Sequence, residues 1–223
     1  MEREHFSRKY DEELNEIRQK LLEMGGMVET MIQDAMKSLV ERDTPLAERT
    51  IAYDHFINGL EVTIDQKCLQ VLATRQPAAK DLRFITLALK IVTDLERIGD
   101  QCRNIAKRAC ELNEEPPLKP YIDLPRMAKH AATMVKEALD AFVRGDDELA
   151  VKVCRDDDFI DNLNEQIQRE LLTFMMADPS TISRAMKINH VSKCLERIAD
   201  HSTNVAEMVI FMVKGKDIRH TKS

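Results

Sequence analysis

The 223-residue chain combines 43% hydrophobic residues with only 4% aromatics, no Trp, six Gly and twelve Met, the composition of packed aliphatic helices rather than of sheets. Its formal net charge is −6 and it presents no basic face, which speaks against a nucleic-acid partner. The longest apolar stretch, around Val209 to Val213, is far short of the ~20 residues that cross a bilayer, and the charged start Met1-Glu2-Arg3-Glu4-His5 lacks the apolar run of a secretory signal. The expectation is a cytoplasmic, all-α protein without a transmembrane segment.

Apolar residues recur at helical spacing from Tyr10 to Arg42, which predicts one long amphipathic helix, loosened in its middle by Gly25-Gly26. Thr44-Pro45 supplies an N-cap followed by a proline at the first helical position, opening a second helix to about Thr74. After Pro77 a third helix runs from Leu82 to Leu112. The stretch Asn113 to Pro120 carries three prolines, which lack the amide donor and clash with the preceding turn, so it reads as a linker. Beyond it the pattern starts again, with helices from about Leu124 to Arg144, from the Gly145-Asp146 break to about Met176, and from the Asp178-Pro179 break to about Lys214.

The two halves are divergent copies. Residues 95–107 and 195–207 align without a gap and agree at seven of thirteen positions, Leu-Glu-Arg-Ile-(Gly/Ala)-Asp at their head. A weaker echo links Asp54 to Asn58 on the second helix with Asp157 to Asp161 on the fifth. A unit of this size with three long helices can bury its own core, so two bundles, residues 1–115 and 116–223, suit the repeat better than a solenoid.

On the third helix Leu87, Ile91, Leu95, Ile98, Cys102, Ile105 and Ala109 form an apolar stripe, while Glu96, Asp100 and Asn104 lie on the opposite side. The sixth helix repeats this with Glu196, Asp200 and Asn204. Carboxylates one turn apart repel, by about 0.2–0.5 kcal/mol per pair. Arg103 can compensate Asp100, but the second copy has Thr203 in its place. A hard cation would relieve the repulsion through oxygen ligands, with Asp54, Asn58 and Glu61 of the second helix, and Asp157, Asp161 and Asn164 of the fifth, as further donors. Metal coordination is therefore favoured over a merely solvated face.

The remaining chemistry-bearing residues point away from catalysis. His55 and His201 read as surface or boundary residues, because a neighbour in sequence points ~100° away on a helix. The carboxylate-bundle oxidases need Glu-x-x-His motifs on facing helices, and the only such spacing is Glu2 to His5 at the N-terminus. There is no Gly-rich phosphate loop, nucleophile elbow or His-Glu-x-x-His. Arg97 and Arg197 recur beside the glutamates, with salt bridges to neighbouring acids as their default role. Cys68, Cys102, Cys110, Cys154 and Cys194 form no Cys-x-x-Cys and read as reduced, packed helix residues.

The doubled Leu-Glu-Arg-Ile-(Gly/Ala)-Asp segments, with Pro77-x-Ala79-x-Asp81-Leu82-Arg83 before the first, resemble the PhoU family, accessory and regulatory proteins of bacterial phosphate-specific transport. The resemblance runs through the whole chain and implies two similar three-helix bundles side by side. It also implies metal at Glu96/Asp100 and Glu196/Asp200, with Asp54 and Asp157 as further ligands; iron, zinc, manganese or magnesium are all compatible. The second copy departs from the first at Pro179-Ser180-Thr181-Ile182-Ser183-Arg184. By the same resemblance the protein would restrain phosphate uptake and the starvation response through a PstB-like transporter ATPase and a PhoR-like sensor histidine kinase, as a non-enzymatic homodimer. Two other readings stand beside it: a metal-dependent phosphate-ester hydrolase using the carboxylate clusters, and a metal-free helical adaptor.

Overall fold

A computed structural model describes residues 2–215, with side chains from Lys9 onward, so the Glu2-x-x-His5 spacing lies outside the described side chains. Six helices follow one another: α1 (Glu2–Val40), α2 (Thr44–Thr74), α3 (Ala79–Asn113), α4 (Asp123–Arg144), α5 (Asp147–Ala177) and α6 (Ile182–Lys214), with one 3-10 turn at Pro179–Thr181. No strand occurs among the described residues. The first helix begins well before Tyr10 and the third begins at Ala79, three residues ahead of the periodic apolar pattern.

The repeat is visible in the way each second helix starts. The Asp43 carboxylate accepts from the Leu46 amide at 2.8 Å and Asp146 from that of Leu149 at 2.9 Å, each satisfying one of the free N–H groups of a first turn. The cap thus falls one residue before the expected Thr44. The residue ahead of each cap takes a left-handed conformation, Arg42 at φ 58° and Gly145 at φ 66°. Arg42 lacks glycine's freedom there, and its guanidinium is tied to the carbonyls of Asn113 and Glu115 at 2.6 and 2.7 Å.

Within each half, α1 packs on α2 and α3, and α4 packs on α5 and α6. The halves meet along α3 against α6 and α1 against α4, so the order α2–α3–α6–α5 forms one layer and α1–α4 covers it. The apolar core runs without a break through all six helices. Gly25 does not loosen α1, which stays helical throughout. A Cβ there would overlap the Leu139 side chain of α4, so this glycine permits a close approach between the halves.

Polar contacts reinforce the seam. His201 Nδ1 lies 2.9 Å from the buried Asp94 Oδ1 across α6 and α3. Lys187 and Arg184 of α6 hold the linker through Glu115 Oε1 at 2.7 Å and the Pro116 carbonyl at 3.0 Å. Cys68, Cys102 and Cys194 are buried and Cys110 and Cys154 half-buried, all five free. Burial pushes the thiols up, Cys68 to about 12 and Cys194 to about 11, which favours their protonated form.

Candidate metal centres

The first acidic cleft lies where α2 runs beside α3. Asp54 of α2 is buried, at 4% exposure, while Glu61, Asp65, Glu96 and Asp100 are half-buried. Gly99 makes room for this: a Cβ there would stand 3.2 Å from Ile57 Cγ2 and 3.7 Å from Asp54 Oδ1. The apolar stripe of α3 turns Glu96 and Asp100 away from the core, as their spacing predicts, and towards α2. Burial, then the charges of Asp100, Glu61 and Asp54, raises the Glu96 carboxyl above its usual range. Burial followed by Asp65 and Asp100 does the same to Glu61.

A guanidinium already stands in this cleft. Arg103 Nη1 is 2.6 Å from Asp54 Oδ2 and its Nη2 is 2.6 Å from Asp100 Oδ1, so one side chain bridges both helices. The i+3 pairing with Asp100 follows from the sequence; the reach across to Asp54 does not. Asp54 Oδ1 remains buried without a hydrogen-bond partner, and so does Asp65 Oδ1.

The second cleft, between α5 and α6, is neutralised differently. Thr203 occupies the place of Arg103, and its hydroxyl is buried with no partner. Among the described residues the cleft's ion pair is made by Lys193, whose Nζ lies 2.8 and 3.0 Å from the two oxygens of Glu196, seven residues before Thr203 along α6. Asn164 replaces Glu61; it is buried, donates to Glu196 at 3.3 Å and accepts from Ser192 at 2.7 Å. Asp157, Asp161 and Asp200 make no ion pair with any described residue. Burial, then Asp161 and Asp200, pushes Asp157 up to about 6. Asp161 and Asp200 are exposed, yet partial desolvation and then the charge of Glu196 raise both, with Asp158 adding to Asp161 and Asp161 to Asp200.

All seven predicted ligands therefore gather at two equivalent clefts, Asp54, Glu96 and Asp100 at one and Asp157, Asp161, Glu196 and Asp200 at the other. Among the described residues no three His, Cys, Asp or Glu side chains already stand around one point, so closure on an ion requires side-chain rotation. Mutually destabilised carboxylates and an orphaned Asp54 oxygen are an all-oxygen donor set that fits a hard cation. Asn104 is half-buried and Asn58 and Asn204 are exposed. His55 is a surface residue, as expected, its ring tilted against that of Phe56. Arg97 and Arg197 are exposed and make no ion pair with a described residue, against their default reading.

Comparison with known proteins fits this geometry to a family. The PhoU domain matches twice, over residues 21–109 and 124–209, one copy for each cleft. The chain belongs to the PhoU family. It is 44% identical over 97% of its length to the phosphate-specific transport system accessory protein PhoU homolog of Pseudomonas aeruginosa, of which it covers 90%. It is 37% identical over the same share to the Escherichia coli (strain K12) protein of that name, covering 90% of it. Among solved structures, PhoU from Pseudomonas aeruginosa superposes with a TM-score of 0.89 at 43% identity, covering 93% of this chain and all of that one. The phosphate transport system regulatory protein PhoU from Streptococcus pneumoniae gives 0.86 at 29% identity, with 93% and 98% covered. The two-bundle, all-helical fold expected of the family is the fold observed.

Proposed function

We propose that the protein is a non-enzymatic regulator of phosphate uptake and of the phosphate-starvation response. The observation that carries this reading is near-full-length similarity, at 44% identity, to an accessory protein of phosphate-specific transport. In this reading it works in the cytoplasm; among the described residues no helix is long and apolar enough to cross a membrane. Those partners are a PstB-like transporter ATPase and a PhoR-like sensor kinase, met by a homodimer.

The clefts supply the metal sites of this proposal. Asp54, Glu96 and Asp100 would hold a cation in the first, and Asp157, Asp161, Glu196 and Asp200 in the second; iron, zinc, manganese and magnesium remain the candidates. A bound cation supplies positive charge and ties each middle helix to its neighbour. The chain's own residues set the cost of the metal-free state, through the crowded carboxylates, of which Asp54 is buried, and through Arg103 and Lys193.

Deleting the gene in phosphate-replete cells is expected to derepress phosphate uptake or alkaline phosphatase, and complementation should restore repression. Unchanged uptake and phosphatase would overturn the regulatory reading. Turnover of phosphate esters by the purified metal-loaded chain, lost in Asp157→Asn/Asp200→Asn, would replace it with hydrolysis.

A further inference from the structure

The Pro-x-Ala-x-Asp-Leu-Arg turn has no part in either acidic cleft, yet it borders a second kind of site. A cavity of about 400 Å³ opens at the seam of the two halves, lined by residues of α1, α3, α4 and α6. Four cations, Arg18, Lys80, Arg83 and Arg144, face it against a single acid, Asp81. In a chain of net charge −6, a local excess of three positive charges runs against the average.

These charges are weakly compensated. Lys80 and Arg83 make no ion pair with any described residue, and Arg144 only a 4.0 Å one with Asp140 on its own helix. Arg18 donates to a neutral partner, Asn15 Oδ1, at 2.8 Å. The one acid is engaged elsewhere as well, since the Tyr10 hydroxyl donates to Asp81 at 3.0 Å. The cavity also has a rigid wall. Phe84 and Phe142 stack with centroids 5.2 Å apart, and the Arg18 guanidinium lies 4.4 Å over the Phe84 ring. Stacking fixes that guanidinium before any ligand arrives.

We propose that this seam cavity binds a small phosphoryl anion. Three arginines and a lysine lining one cavity from three helices match the multiple oxygens and double charge of a phosphate, for which arginine's planar fork is suited. The volume lies at the lower end of the ~300–1,000 Å³ of small-molecule sites. Phosphate alone and the phosphates of a nucleotide share this chemistry. Because contributing residues come from both halves, occupancy would tie one half to the other. The proposal rests on the cavity and not on the regulatory reading.

The test is calorimetric titration of the full, metal-depleted chain with inorganic phosphate and, separately, with ADP. Arg83→Gln/Arg144→Gln is expected to weaken binding at least roughly tenfold. Both side chains are exposed and carry no buried contact, so thermal melting should be unchanged, and Lys80→Glu gives a second, charge-reversed variant with the same expected loss. Lys90→Gln, on an exposed face away from the cavity, should bind as the parent does. Inorganic phosphate binding as tightly as ADP identifies the free anion as the ligand; ADP binding ~10-fold tighter identifies a nucleotide. Absence of binding by both up to about 10 mM overturns the proposal. So does binding that the cavity variants leave intact, or binding lost in Asp157→Asn/Asp200→Asn, which would place the anion on a cleft. Any of these three failures, in cells where gene deletion still derepresses uptake, removes the cavity and leaves the regulator standing.

Discussion

The two clefts have the same backbone and the same Glu-x-x-x-Asp pair, but opposite solutions to the same electrostatic problem. The first carries its own cation: Arg103 spans the cleft and satisfies one oxygen of buried Asp54 and one of Asp100. The second puts Thr203 there and leaves Asp157, Asp161 and Asp200 facing one another, with Lys193 attending only to Glu196. Equivalent positions are thus not equally ready for a metal. A cation entering the first cleft must displace a guanidinium; one entering the second relieves repulsion outright.

Breaking that difference should have the largest effect. Arg103→Thr gives the first cleft the residue of the second. In metal-free protein this strands Asp54, at 4% exposure, and is expected to cost about 2 kcal/mol, below the ~3–5 kcal/mol of a fully buried pair because Arg103 itself is partly exposed. For a chain of this size that is a Tm loss of about 4–8 °C. The same substitution should raise the first cleft's metal affinity. A variant that melts like the parent, with or without metal, would mean Arg103 neutralises nothing.

Metal preference follows next. Titrating manganese into the metal-free chain should fill the second cleft first, by roughly tenfold in affinity, or about 1.4 kcal/mol. Asp157→Asn/Asp200→Asn should remove the tighter event and Glu96→Gln/Asp100→Asn the weaker one. Two equal events, or loss of the tighter one on mutating the first cleft, would reverse the comparison.

The second cleft should also respond to pH, in a direction fixed by Asp157. Its carboxyl is raised from the usual 3.8 to about 6. A raised acid contributes stability that is complete below the unfolded value and lost as pH rises through the folded one. At pH 7.5 without metal the ionised side chain is therefore a liability. Asp157→Asn should stabilise the metal-free protein there by about 1.5 kcal/mol, a value reduced from the full shift because the group is only partly buried. The gain should fade as pH falls from 6 towards 4. With metal present the sign should invert, since the variant has lost a ligand. A gain that persists unchanged at pH 4 would assign it to packing instead of charge.

Much of this was legible in the chain. The 3.6-residue stripe fixed which side of α3 and α6 the glutamates and aspartates take, and the repeat of Leu-Glu-Arg-Ile-x-Asp fixed that there would be two such sites. What sequence spacing cannot give is a partner on another helix. Arg103 is three residues from Asp100 and forty-nine from Asp54, and only α2–α3 packing joins the two bonds. Lys193 and Ser192 precede the motif in the second copy alone, so comparing the copies on their shared residues hides them. Gly25 departs from its local reading for a related reason. Its effect on α1 is local, while its purpose is the approach of Leu139 from the other half.

The smallest expected effect lies on the seam between the clefts. His201 bonds buried Asp94 across α6 and α3, while the equivalent position in the first copy, Gln101, has a buried oxygen with no partner. At this pair of equivalent positions the tie is therefore made by the second copy alone. His201→Leu should cost about 1 kcal/mol, the low end for a buried acceptor left without its partner, and His201→Gln, which keeps a donor, should recover part of it. Because Asp94 belongs to neither cleft, both variants should leave metal stoichiometry and the order of filling unchanged. Were His201→Leu instead to weaken the second cleft's metal while sparing the first's, the seam and the cleft would form one coupled unit, with the α3–α6 contact carrying the coupling.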